Sequence, residues 1–171
     1  MVRGRGKGRS VNGIILLDKA KGESSNYALQ RIKRLFRAKK AGHTGSLDPL
    51  ATGVLPLCLG EATKISQFLL DSDKRYIAKV KLGERTDSGD SEGVIIEVQR
   101  RIDVDYETLV QTLTKFEGEI KQLPPMYSAL KHQGVPLYKL ARKGLSIERK
   151  LRSITIHKIV LKSFDNNIAD I

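Results

Sequence analysis

The chain has little sulfur and few aromatic residues. Among its 171 residues there is one cysteine, no tryptophan, two methionines and only 5% aromatics. One cysteine cannot close an internal disulfide or build a cysteine-rich zinc site. Cys58 lies in the apolar run Val54-Leu55-Pro56-Leu57-Cys58-Leu59 and reads as a small buried hydrophobe. The three histidines, His43, His132 and His157, are scattered without metal-ligand spacing. No apolar run approaches a membrane span. Ile14–Leu17, after the basic N-terminus, is too short for a signal peptide. The expected compartment is the cytoplasm or its organellar equivalent. Acid is also scarce: 19 Asp and Glu stand against 31 Lys and Arg, for a net charge of +12. That imbalance favours a polyanionic partner, with nucleic acid ahead of an anionic membrane surface.

The 40% of residues that are hydrophobic suffice for a core, and the length suits one domain. Residues 1–11 open with basic residues alternating with glycine and read as a flexible basic arm able to lie along phosphates. Gly13–Leu17 suits a strand covered on both faces. Ser24-Ser25-Asn26 offers N-caps to a helix, in which Ala28, Leu29, Ile32, Leu35 and Phe36 form one stripe. Arg31, Arg34 and Arg37 share the opposite face. A second helix is expected over 61–70. Tyr76–Leu82 alternates as a strand, which puts Tyr76 at the rim of an apolar face. Residues 86–93 read as a solvated acidic loop without EF-hand spacing. Val94–Val98 reads as a strand, Tyr106–Phe116 as a helix capped by Asp105, and Leu137–Lys143 as a short basic helix. Residues 150–164 alternate as one long strand. After a turn at Asp165-Asn166-Asn167 the chain enters a returning strand and looks cut short. No internal repeat or linker marks a second domain.

The segment richest in information is Gly42-His43-Thr44-Gly45-Ser46-Leu47-Asp48-Pro49-Leu50-Ala51-Thr52-Gly53. It sets one carboxylate, Asp48, in a loop stiffened by Pro49 and bent by glycines. A reactive acid needs such a fixed pose. Taken alone, an Asp-Pro pair more often starts a turn or caps a helix. Taken alone, His43 reads sooner as a loop cap and Tyr76 as a core tyrosine than as site residues.

These residues decide the matter together. With Leu17-Asp18-Lys19-Ala20-Lys21-Gly22 before it, Asp71-Ser72-Asp73-Lys74-Arg75-Tyr76 after it and Pro124-Pro125-Met126-Tyr127-Ser128-Ala129-Leu130-Lys131 beyond, the segment resembles bacterial tRNA pseudouridine-55 synthases of the TruB type. The resemblance runs from Asn12 to about Phe164. Ala20 stands where the family usually has proline. The resemblance implies an α+β pseudouridine synthase catalytic fold over 12–171, with a mixed, largely antiparallel sheet and flanking helices. It implies that uridine in the T-loop of tRNA (position 55) is flipped out and isomerised to pseudouridine, without cofactor or metal. It makes Asp48 the catalytic nucleophile, Tyr76 the residue stacked on the flipped base, and His43 the one holding the T-loop open. It implies the tRNA T-arm as partner, with no membrane and no obligate protein partner evident. The family continues into a tyrosine- and arginine-bearing strand and a PUA domain, so a missing C-terminal half is expected to be needed. The competing readings are a non-catalytic RNA-binding or RNA-remodelling module, against which intact Asp48 and Tyr76 argue, and a synthase of a small-RNA-guided particle.

Overall fold

Seven consecutive residues, Gly13–Lys19, form strand β1. The structure, a computed structural model, describes residues 8–70 and 72–171. It divides into two compact units, Met1–Arg75 and Tyr76–Ile171. The boundary falls in a charged stretch where no proline or glycine run marks it.

In the first unit, helix α1 (Ser25–Leu35) follows β1, then strands β2 (Ala41–His43) and β3 (Gly53–Leu59). The sheet order is β1-β3-β2, with both pairings antiparallel. Of the three cap candidates Ser24 caps α1, its Oγ accepting from the Tyr27 N–H at 3.2 Å. Ala28 and Leu29 of α1 pack against Leu55 and Leu57 of β3, joined by Ile15, Leu17, Ile32, Ala41 and Leu47. Burying these side chains stabilises the unit by about 1.5–3 kcal/mol per large aliphatic residue. β1 is covered on one face only. Ile14 and Leu16 remain exposed because α1 shields the face carrying Ile15 and Leu17. The stripe on α1 also overhangs its support, leaving Leu35 75% exposed.

α1 ends at Phe36, and Arg37 turns left-handed at φ 49°. That conformation costs a non-glycine residue about 1–2 kcal/mol. Arg37 is thus off the helical face on which the spacing put it. Its carbonyl accepts from the Arg9 N–H at 2.7 Å, and the Lys39 N–H donates to the Arg9 carbonyl at 3.0 Å. Arg9 and Ala38 form a parallel bridge. Of the expected flexible arm, residues 8–10 are therefore tied to the turn after α1, and residues 1–7 lie outside the described residues. The helix expected over 61–70 is divided into a 3-10 turn, Gly60–Lys64, and helix α2, Ser66–Leu70. Thr63 Oγ1 donates to the Gly60 carbonyl and Ser66 Oγ to the Thr63 carbonyl, both at 2.8 Å. Such local bonds compete with the helical ladder.

The second unit runs β4 (Lys79–Lys81), β5 (Glu84–Thr86), β6 (Ile95–Val98), α3 (Tyr106–Thr114), β7 (Gly118–Gln122), β8 (Lys131–His132), β9 (Val135–Pro136), α4 (Leu137–Ala141), β10 (Arg152–Ile156), β11 (Ser163–Asp165) and β12 (Ile168–Asp170). Its ladders are β11-β12-β4, β10-β7, β5-β6 and β8-β9, all antiparallel. Asp105 caps α3, accepting from the Thr108 N–H at 2.8 Å. The core gathers Leu109, Leu161 and Ala169 with Val110, Leu113 and Phe164. The strand expected over 150–164 is two strands, because its halves take different partners. β10 pairs with β7 and β11 with β12, while between them the Ile159 N–H donates to Glu117 Oε1. The turn at Asn166-Asn167 is present, both residues left-handed at φ 47° and 62°. The returning strand β12 is central in its sheet, bonded to β11 and β4.

Cys58 is fully buried, and burial pushes its thiol pKa up. The thiolate is the reactive form. Native protein should therefore resist a maleimide at neutral pH and react within minutes in denaturant, with intact mass as the readout. Rapid native labelling would show that β3 opens readily.

Candidate active site

The loop that carries Asp48 is held from several directions. Lys19, at the end of β1, is 0% exposed. Its ammonium donates to the carbonyls of Ala20 at 2.9 Å and Glu23 at 2.8 Å, curling residues 20–23 around itself. From that curl the Gly22 N–H donates to the Pro49 carbonyl at 2.7 Å. Ser25 is buried at the start of α1, and its hydroxyl makes two bonds to one residue. It donates to the Leu47 carbonyl at 2.9 Å and accepts from the Leu47 N–H at 2.8 Å. Thr44, also buried, donates its N–H to the Pro56 carbonyl at 3.2 Å. The Asp48 carbonyl accepts from the Ala51 N–H at 3.0 Å, closing a tight turn with Pro49 at its second position.

The neighbours of Asp48 on both sides, Leu47 and Pro49, are thus anchored, and Leu47 also packs into the core. Asp48 itself is exposed, and none of the ion pairs among the described residues involves it. The arrangement offers a carboxylate on a fixed backbone with its side chain open to an incoming group. A carboxylate oxygen is one of the side-chain groups that can form a covalent intermediate. Gly45 and Gly53 supply left-handed backbone at φ 144° and 123°. Gly42 does not; it sits in β2 opposite Cys58, with ordinary contacts.

His43 lies in the same segment, paired with Leu57 across β2 and β3 and half-buried. Its Nδ1 is buried and has no hydrogen-bond partner among the described residues. Tyr76 opens the second unit and precedes β4. The strand begins only at Lys79, so alternation does not govern Tyr76. Both Tyr76 and Ile77 are exposed, at 68% and 70%, and the expected rim of an apolar face is not formed there.

Sequence reasoning missed the Ser25 and Lys19 clamps. Ser25 was one of three adjacent cap candidates, and only the folded chain shows which hydroxyl reaches 22 residues ahead. The acidic loop 86–93 is also more ordered than a solvated loop. Asp87 Oδ1 accepts from the Val94 N–H at 2.9 Å, and Asp87 Oδ2 accepts from the Tyr127 hydroxyl at 3.3 Å. Ser88 Oγ donates to Asp90 Oδ1 at 2.6 Å. Burial and then the neighbouring Asp87 hold the Tyr127 phenol above its usual pKa. With Arg142 these residues line a hollow of about 260 Å³. Among the described residues no three His, Cys, Asp or Glu side chains are placed to hold a metal ion, and no helix is long and apolar enough to cross a membrane.

Residues 33–171 match the family described as TruB family pseudouridylate synthase (N terminal domain). The chain is 59% identical over 167 residues to tRNA pseudouridine synthase B of Vibrio cholerae serotype O1 (strain ATCC 39541 / Classical Ogawa 395 / O395), covering 98% of this chain and 53% of that protein. It is 61% identical over 162 residues to tRNA pseudouridine synthase B of Tolumonas auensis (strain DSM 9187 / NBRC 110442 / TA 4), covering 95% of this chain and 50% of that protein. Among solved structures it is similar to one described as a Cbf5-Nop10-Gar1 complex, with TM-score 0.66 and 30% identity over 92% of this chain and 37% of the other. An H/ACA RNP bound to a substrate RNA containing 2'-deoxyuridine matches with TM-score 0.63 and 27% identity, over 92% of this chain and 36% of the other. The α+β arrangement of antiparallel ladders and helices is the pseudouridine synthase fold. The chain spans about half the length of the curated relatives it matches. With a family model matched over 33–171 and identity near 60% along almost all of its residues, the chain belongs to the TruB family of pseudouridylate synthases.

Proposed function

We propose that this chain carries the nucleophile of a tRNA pseudouridine synthase that isomerises the uridine at position 55 of the T-loop. One observation carries the reading: Asp48, at the family's nucleophile position, projects openly from a loop anchored through Ser25, Gly22 and Ala51. Support for tRNA as the substrate comes from the names of the two bacterial relatives, which are twice as identical to this chain as Cbf5 is. Cbf5 was solved with Nop10 and Gar1. For this chain the reading takes the tRNA T-arm itself as the partner, in the cytoplasm.

In this reading the target nucleotide leaves the stack, at a cost of a few kcal/mol. The exposed ring of Tyr76 receives the base, and His43 keeps the T-loop from closing behind it. A carboxylate oxygen of Asp48 bonds to C1′ as the bond between N1 and C1′ breaks. The base turns, and C5 then displaces that oxygen from C1′, which frees Asp48. A proton leaves C5 and one is gained at N1. Product and substrate have the same atoms, so the reaction calls for no oxidant, reductant or co-substrate.

The test is a tRNA transcript tritiated at uridine C5, incubated with the protein that contains this chain. Tritium release, with one pseudouridine mapped to the T-loop, is the expected result. Tight RNA binding without any release would instead favour a module that binds and does not react.

The role of Tyr76 has its own test. Tyr76→Phe should bind tRNA nearly as well as the parent, since stacking needs only the ring. Tyr76→Leu should bind roughly ten- to a hundredfold more weakly, the worth of stacking one base. Equal affinities for the two variants would remove Tyr76 from the stacking role.

A further inference from the structure

Two of the acid-free segments of this chain lie in its first unit. Residues 1–17 contain four Lys or Arg and no Asp or Glu, and residues 24–47 contain six and none. Ile15 and Leu17 of the first segment pack against α1 in the second, and the backbones join at the bridge between Arg9 and Ala38. There is no room for a side chain at the joint. A Cβ on Gly8 would lie 2.9 Å from the Arg37 carbonyl oxygen and 2.9 Å from Lys39 Cα, both backbone atoms. The join brings together Arg9, Arg37, Lys39 and Lys40, all exposed. None of the four is in an ion pair among the described residues. By contrast Arg31, further up α1, is matched by Glu23 at 3.1 Å. The basic residues outside these ion pairs, Lys33 and Arg34 of the last turn among them, therefore gather toward the end of the helix.

Arg37 is the telling residue. The position just past a helix end is normally filled by glycine or asparagine when the backbone turns left-handed, because other side chains are strained there. The favourable effect of cations near a helix C-terminus explains Lys33 and Arg34, which lie in the last turn. It does not require an arginine at φ 49°, where glycine would do the turning with less strain. Strain kept at one residue points to a use for its side chain.

We propose that Arg37, with Arg9 and Lys39 tied to it through the backbone, forms a rim that binds the phosphates of the RNA substrate. The proposal rests on the reading of this chain as a tRNA-binding enzyme. The rim gives a contact that is insensitive to base sequence and sensitive to salt.

The experiment measures binding of an unmodified tRNA transcript to the protein that contains this chain across a salt series. Arg37→Gly keeps the left-handed turn and removes the guanidinium. It should melt no lower than the parent, yet flatten the slope of log affinity against log salt by about 0.7–0.9, the loss of one phosphate contact. At 0.1 M salt a slope change of that size corresponds to about sixfold weaker binding. Arg37→Lys should restore most of the slope. Gly8→Ala, which breaks the joint and removes no charge, should also weaken binding. Lys121→Gln, on β7, removes the same charge elsewhere and should leave the slope unchanged. The rim is refuted if the parent binds and Arg37→Gly matches its slope, or if Lys121→Gln loses as much. A parent protein, with this chain in its full length, that binds no RNA at any salt would overturn both the rim and the tRNA reading.

Discussion

Asp48→Asn leaves tRNA binding within about twofold and lowers the single-turnover rate by on the order of 10⁴-fold or more, the scale on which removal of a nucleophile acts. The two side chains have nearly the same size. The anchoring contacts of the loop run through Ser25, Leu47, Gly22, Pro49 and the Asp48 backbone carbonyl, none of which the substitution alters. The amide should therefore sit where the carboxylate sat, without its nucleophilic oxygen. Asp48 is exposed and outside every ion pair among the described residues, so the melting temperature should barely move. A variant forming pseudouridine at the parent's rate would remove Asp48 from the reaction and the proposed mechanism with it. A variant that is slow because it is unfolded would be exposed by its melting curve.

Ser25→Ala should combine a loss of stability with a loss of rate. The Ser25 hydroxyl is the partner of both the N–H and the carbonyl of Leu47. Alanine leaves both groups without it in a region where the residue is only 4% exposed. Each such group costs about 1–3 kcal/mol when buried and unsatisfied, so a net loss of about 2–4 kcal/mol is expected after partial rescue by water. For a chain of this size that corresponds to a fall in melting temperature of roughly 5–15 °C. Leu47 directly precedes Asp48, so loosening it displaces the proposed nucleophile. A misplacement of about an ångström can cost on the order of a hundredfold in rate. Affinity for tRNA should change little, because the exposed basic residues are untouched. A fall in kcat with KM preserved marks this positioning role. If Ser25→Ala melts and turns over like the parent, the loop is held by its other contacts and the clamp is redundant.

Much of this was legible in the chain. Apolar period and cap chemistry located α1 with Ser24 and α3 with Asp105, since a helix N-terminus exposes donors that a nearby oxygen satisfies locally. Asn166-Asn167 turned where a left-handed pair was needed. These features depend on neighbours in sequence. The fold class and the motif around Asp48 were likewise readable, because a long motif of glycines, proline and acid carries its own geometry. Where the reading failed, the deciding partner was distant. Residues 150–164 alternate throughout, and alternation cannot say that β10 pairs with β7 while β11 pairs with β12. Composition made β1 apolar on both faces, but only the placement of α1 chose the face that is covered.

The same division runs through the site. By itself the sequence determined the excess of positive charge, the glycine- and proline-bounded segment that holds Asp48 and which family's motif is present, because these follow from residue type and local spacing. Only the tertiary structure decided that Ser25 and not Ser24 reaches Leu47, that Lys19 is buried under two carbonyls, and that Arg9 is tied to the turn after α1. Each of these is a hydrogen bond to a backbone group whose position depends on the whole packed unit. The energy of such a bond is short-ranged and directional, and the sequence carries no local mark of where its partner will be.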